Sequence, residues 1–204
     1  MSLDLSADYV LENEKVLLRP LRASDFENLL EFSENEQDLW RFSLLTAAGK
    51  DNLKQYMQTA LDGRSQKKEY PFIVYDKTKN RYAGSTRFYD IQPDFQTLQL
   101  GYTWYGKQFQ GTGLNKNCKY LLLEFAFEKW QMERVEFRAD NDNARSIAAM
   151  KSIGCKVDGI LRNNMPRRDG GRRDSIVLSI LRHEWESEVR EMLKRKVEGL
   201  RCRV

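Results

Sequence analysis

Histidine is almost missing from this chain: His183 is the only one in 204 residues, and cysteines number three. Cys118, Cys155 and Cys202 are odd in number, widely spaced and without a CxxC pair. Neither a zinc centre nor a disulfide framework is expected from such a set, and a reducing compartment suits it. Proline is equally sparse, at four. No repeat or low-complexity tract divides the chain, which argues for a single domain over residues 1–204. Its core is expected over about 12–185, with a charged helical extension over 186–204. No apolar run approaches the roughly 20 residues that cross a bilayer. The opening "MSLDLSADYVLENEK" has neither a basic n-region nor an apolar h-region, so a soluble cytoplasmic protein is expected. A large charge excess is also lacking. The 34 Lys and Arg against 30 Asp and Glu leave +4, too little and too scattered to argue for direct nucleic-acid binding.

The chain does have apolar residues at 41% and aromatics at 11%, enough for a real core. "KVLLRPL" reads as a short strand ended by Pro20. "SDFENLLEFSEN" reads as a helix capped by Ser24, with Phe26, Leu29, Leu30 and Ser33 on one face. A second helix is predicted from about Lys50 to Gly63. "YPFIVYD" and "RYAGSTRFYDI" are strands joined by the turn "KTKN". In "QTLQLGYTWY" the alternation predicts Leu98, Leu100, Tyr102 and Trp104 on one face and Gln99, Gly101, Thr103 and Tyr105 on the other. Gly101 in mid-strand hints at a bulge or a close backbone approach. Leu114, Cys118, Leu121, Leu122 and Phe125 then mark one helix face. "RVEFRAD" reads as a strand, "NARSIAAMKSIG" as a helix closed by Gly154, and two final strands bracket "RRDGG". That order fits a mixed α/β fold whose mainly antiparallel sheet holds one parallel helical crossover.

The stretch "YGKQFQGTGLNKN" carries the chemistry. Gln108-x-x-Gly111-x-Gly113 falls between a strand and a helix. Bare backbone amides and the positive end of a helix dipole can converge there on an anion. The Rossmann fingerprint fails for want of a third glycine at Lys116. A Walker A reading fails because Gly101, Gly106 and Lys107 are followed by Gln108, and because Tyr-Thr-Trp-Tyr is a strand sequence. A diphosphate cradle and a plain structural turn remain.

"QFQGTG", with "LLRPLRASD" before it and "RVEFRADNDNARSIAAMKSIG" and "SILRHEW" after it, resembles the GNAT superfamily of acyl-coenzyme A-dependent N-acetyltransferases. The nearest branch in pattern is the RimJ/RimL ribosomal-protein N-terminal acetyltransferases. The resemblance implies a GNAT fold, with a parallel strand pair that splays at the coenzyme site, and acetyl-CoA as cosubstrate with no metal. Gln108, Phe109, Gln110, Gly111, Thr112, Gly113, Leu114 and Asn115 would hold the pyrophosphate. Backbone groups of Thr103, Trp104 and Tyr105 would bond the pantetheine amides. Asn143 would reach the pantetheine arm, although it could equally cap the following helix. Ser146 would stabilise or protonate the leaving thiolate.

The implied reaction passes acetyl to a primary amine, with a protein or peptide N-terminus first and a small-molecule amine such as an amino acid or antibiotic second. A non-catalytic acyl-CoA-binding module and a nucleotide-binding P-loop protein stand as alternatives. A homodimer is compatible with the sequence. Two departures bear on catalysis: Gln99 stands where many relatives carry Glu, and Met150 where many carry Tyr. Asp90, Asp174 and Glu69 are the carboxylates open to the base role, each also readable as an ordinary exposed or capping acid. "RRDGGRR" (Arg167 to Arg173) reads as a solvated turn or as an attractor of an acidic group. His183 reads as structural, and Cys118 and Cys155 as apolar fillers.

Overall fold

The computed structural model describes residues 3–168 and 170–199, so Cys202 and Asp169 lie outside the described residues. An eight-stranded sheet runs in the order β1-β2-β3-β4-β5-β6-β8-β7. Its strands are β1 (Leu11–Glu12), β2 (Val16–Pro20), β3 (Tyr70–Asp76), β4 (Arg81–Gln92), β5 (Thr97–Tyr105), β6 (Arg134–Asp140), β7 (Lys156–Pro166) and β8 (Arg172–Leu181). Every neighbouring pair is antiparallel except β5 and β6. Helices α1 (Phe26–Asn35) and α2 (Lys50–Ser65) connect β2 to β3, α3 (Leu114–Glu124) makes the parallel crossover, and α4 (Ala144–Ser152) follows β6.

Local chemistry explains most element ends. Ser24 does not cap α1. Asp25 stands at the N-cap position, and its buried side chain, rather than bonding the first amides of α1, accepts from the Arg22 amide at 2.9 Å and is clamped by Arg19. Arg19 keeps that carboxylate charged out of water and so fixes the turn that leads into α1. The β3–β4 turn closes on Asp76, whose carboxylate accepts from the Thr78 and Lys79 amides. Gly154, at φ +101°, ends α4 as expected. The helical run after β8 comprises Arg182–Glu184, a π turn Trp185–Val189 and Arg190–Glu198. Most of its surface is solvated, while Trp185, Val189 and Leu193 are buried against the rest of the core.

The predicted alternation of β5 holds only to Gly101. Arg87 of β4 faces Gly101, whereas Ser85 faces Trp104, so β5 carries one extra residue across a bulge. Tyr102 sits in it at φ +49°. The bulge inverts every later side chain. Tyr102 joins Tyr89 on the α2 face, ring centroids 4.9 Å apart. Trp104 stays with it, packing on Phe32 of α1 and on Trp40. Thr103 turns toward α3, where Lys119 donates to its hydroxyl at 2.9 Å.

Candidate active site in the cleft between the parallel strands

β5 and β6 are paired only at Thr97–Arg134, Leu98–Val135 and Gln99–Glu136. Past Gln99 they separate: β6 continues along β8 alone, and one edge of β5 from Leu100 to Tyr105 faces a cleft of about 1020 Å³. That is at the upper end of the range for small-molecule sites. The separation is the splay expected from the resemblance.

The glycine loop forms the mouth of the cleft. Gly111 and Gly113 have φ of +74° and +90°, and a Cβ on either would meet nothing within 4 Å. It is backbone conformation, rather than crowding within the chain, that calls for glycine at both. Among the described residues, the amides of Gly111, Thr112, Gly113 and Asn115 carry no hydrogen bond. Gln110 fastens the loop: its amide nitrogen donates to the Tyr105 carbonyl at 2.8 Å, and its amide oxygen accepts from Arg145 at 2.6 Å. Lys116 and Arg145 line the same mouth.

The remaining expected residues divide. Thr103, Trp104, Tyr105, Phe109, Gln110, Gly111, Gly113, Asn115, Asn143 and Ser146 line the cleft. The side chains of Gln108, Thr112 and Leu114 do not. Gln108 is exposed and contributes its carbonyl to Lys79. Thr112 is exposed and donates to the Phe109 carbonyl. Leu114 is buried in the core. Asn143 caps α4, its side-chain oxygen accepting from the Ser146 amide at 3.1 Å, so Ser146 sits in the first turn with its side chain toward the cleft.

Of the three candidate bases only Asp90 lines the cleft. It accepts from Gln99 at 2.7 Å, so the amide that replaces the expected Glu holds a neighbouring carboxylate instead. Glu69 is taken by Arg87, a fully buried cation between the rings of Tyr56 and Tyr102. Asp174 caps the Asn163 amide. His183 is exposed and apart from the cleft.

One cleft residue escaped the sequence reading. Lys119 is buried between Thr103 of β5 and the Phe137 ring of β6, and burial pulls its amine down to about 8. Arg173, read with its neighbours as a solvated turn or as an attractor of an acidic group, lies instead on β8 and is buried at the far wall. Burial also pushes the thiols of Cys118 and Cys155 up to about 12, so both are inert fillers. Among the described residues, no group of three or more His, Cys, Asp or Glu could hold a metal ion. No described helix is long and apolar enough to cross a membrane.

A family profile described as Acetyltransferase (GNAT) domain matches residues 15–156, which include the splayed strands and the loop. The chain belongs to the GNAT acetyltransferase family. YdaF of Bacillus subtilis strain 168, provisionally named a ribosomal N-acetyltransferase, is 28% identical over 182 residues, covering 86% of this chain and 96% of its own. A structure from T. thermophilus, described provisionally as an acetyltransferase, is 30% identical with a TM-score of 0.81, covering 92% of this chain and 96% of that one. Mycobacterium smegmatis RimJ, solved in complex with CoA-disulfide, reaches a TM-score of 0.75 at 17% identity, covering 92% of each chain; that likeness is one of fold.

Proposed function

We propose that this GNAT acetyltransferase takes its acetyl group from acetyl-coenzyme A and passes it to a primary amine, in the first place a peptide N-terminal α-amine. The observation that carries the reading is the set of four free amides at the head of α3, opening on the unpaired edge of β5. They supply donors for a diphosphate where the helix dipole favours negative charge. Lys116 and Arg145 add positive charge at the same mouth. Acetyl-coenzyme A, when bound, supplies an activated thioester.

The chain's own residues do the rest. The bared edge of β5 offers peptide groups to the carrier's amide-containing arm. Ser146, oriented by the Asn143 cap, lends its hydroxyl to the departing sulfur. Gln99 and Asp90 stand in the same cleft, and we give Asp90 the role of receiving the amine's proton through water. A distant, weak base is sufficient for an α-amine of pKa ~7.7 to 8.0, which is partly neutral at pH 7, and insufficient for a lysine side chain at ~10.4. The cysteine pattern favours a cytoplasmic setting.

The test is a thermal-shift comparison of acetyl-coenzyme A with ATP–magnesium, followed by thiol release over a panel of peptide N-termini, amino acids and lysine analogues. Stabilisation by acetyl-coenzyme A alone and release with α-amines are expected. Ser146→Ala should keep coenzyme binding and lower kcat by about 10-fold or more, in line with loss of a single hydrogen-bonding catalyst. Stabilisation by ATP, or turnover confined to lysine analogues, would overturn the reading.

A further inference from the structure

Arg173 is a buried guanidinium of the cleft that, among the described residues, has no carboxylate partner. It lies on β8 with 6% of its surface exposed, and it lines the cleft. Its Nε donates to the Ser175 hydroxyl at 3.0 Å, which fixes the plane of the guanidinium. Among the described residues no acceptor meets its two terminal nitrogens and no carboxylate makes an ion pair with it. The neighbouring charges are committed elsewhere. Asp140 holds Arg167 through both oxygens, and Asp142 holds the same guanidinium. Glu136 is bound by Arg134 and Arg138.

Burying a guanidinium without a carboxylate is costly, and burial here pulls the group below the ordinary arginine range. A planar fork with its free edge toward a cavity is shaped for one kind of ligand, a carboxylate that accepts two parallel hydrogen bonds. The register places this fork with the acceptor-side groups. Ser175 pairs with Asp140 and Val177 with Arg138 along β8 and β6, and Gln99 pairs with Glu136 across the parallel strands. Arg173 therefore lies on the same sheet face as Gln99 and Tyr89, opposite the face on which Lys119 and α3 pack.

We propose that Arg173 is the acceptor-specificity residue, binding a carboxylate carried by the amine substrate. The source of that carboxylate is either an acidic side chain near a peptide N-terminus or the α-carboxylate of a small amino acid or dipeptide. The proposal rests on the acetyl-coenzyme A reading above and names the acceptor class that reading left open.

Two matched pairs test it on the full chain with coenzyme A bound, so that no turnover is needed. One is a tetrapeptide amide with glutamate at its second position against its glutamine twin. The other is alanyl-alanine against its amide. Calorimetry should show the carboxylate member of one pair binding about tenfold tighter or better, the size of a charge-assisted hydrogen bond. The pair that discriminates identifies the source. In Arg173→Gln the preference should shrink to within about twofold, and Arg173→Lys should recover part of it as a point charge. The apo form of Arg173→Gln should melt at a higher temperature than the parent, because an uncompensated buried charge has gone. Equal affinity within both pairs in the parent protein, or an undiminished preference in Arg173→Gln, would overturn the proposal. A lower melting temperature would point to a structural role and count against it. Failure to bind coenzyme A at all would instead sink the reading beneath it, which separates the two.

Discussion

Lys119 carries a physical cost that its position explains. Its Cα lies on α3 beside the apolar stripe, and the C-terminal helical run packs on α3, leaving little of that helix in water. The amine ends between Thr103 and Phe137, pulled down to about 8 by burial from the ordinary 10.5. The sign follows from proton counting: between about pH 8 and 10.5 the unfolded chain holds a proton on this lysine that the folded chain does not. Lys119 thus penalises folding fully below about pH 8, and the penalty recedes as pH rises through that window. Buried Cys118 and Cys155 push the opposite way over an overlapping range, so the lysine is read from a difference. Urea unfolding of Lys119→Met and of the parent from about pH 7 to 10 should show the variant's advantage largest at neutral pH and narrowing above about pH 8. A constant difference would mean that the amine keeps its proton. None of this was legible in the sequence, where a lysine next to an apolar stripe reads as solvent-facing. Arg173 was half legible: the run Arg167 to Arg173 read as a solvated turn or as an attractor of an acidic group, while its burial on β8 gives no local signal. Asn143, by contrast, was legible as a cap, because a cap followed by a helical pattern is a local signal, whereas Ser146 was named only through the family resemblance.

At the level of the element, the loop and helix α3 were readable and the geometry of β5 was only half so. Glycine at 111 and 113 between a strand and a helix states its purpose, since both positions adopt φ that other residues avoid. Gly113→Val should therefore distort the loop and weaken acetyl-coenzyme A binding by about tenfold or more, the equivalent of the strain of a β-branched residue in that region. Calorimetric titration checks this, and unchanged affinity would show that the loop does not hold the carrier. In β5, Gly101 did signal an irregularity, but the extra residue is Tyr102, at φ +49°, next to it. No propensity rule selects a tyrosine for that conformation. The strand's second half was consequently assigned to the wrong faces, and the contact between Thr103 and Lys119 was missed.

For the whole molecule, the order of elements along the chain was legible, whereas their order in space was not. Strand sequence gives pairing only for hairpins, and β8 pairs with both β6 and β7. The last helical run was likewise seen as a charged extension, which is true of most of its surface. Its apolar residues nevertheless carry weight. Trp185 stacks on Phe127 with centroids 5.6 Å apart and lies 6.0 Å from the Tyr120 ring, and Val189 sits close against Gly154. Trp185→Ala should cost about 3–5 kcal/mol, as for other buried aromatics, measured by urea unfolding. A loss under about 1 kcal/mol would show that the run is dispensable.

The insertion of β8 between β6 and β7 has a consequence for biosynthesis. A nascent polypeptide emerges in order, so β6 reaches the solvent early and waits with one edge bare until β7 and then β8 have followed it. The wall that bears Arg173 and the brace beneath α3 both arrive after the glycine loop, α3 and β6 have been made. A polypeptide whose synthesis halts between β6 and β8 would hold the cradle's residues without the wall and the brace that complete the cleft.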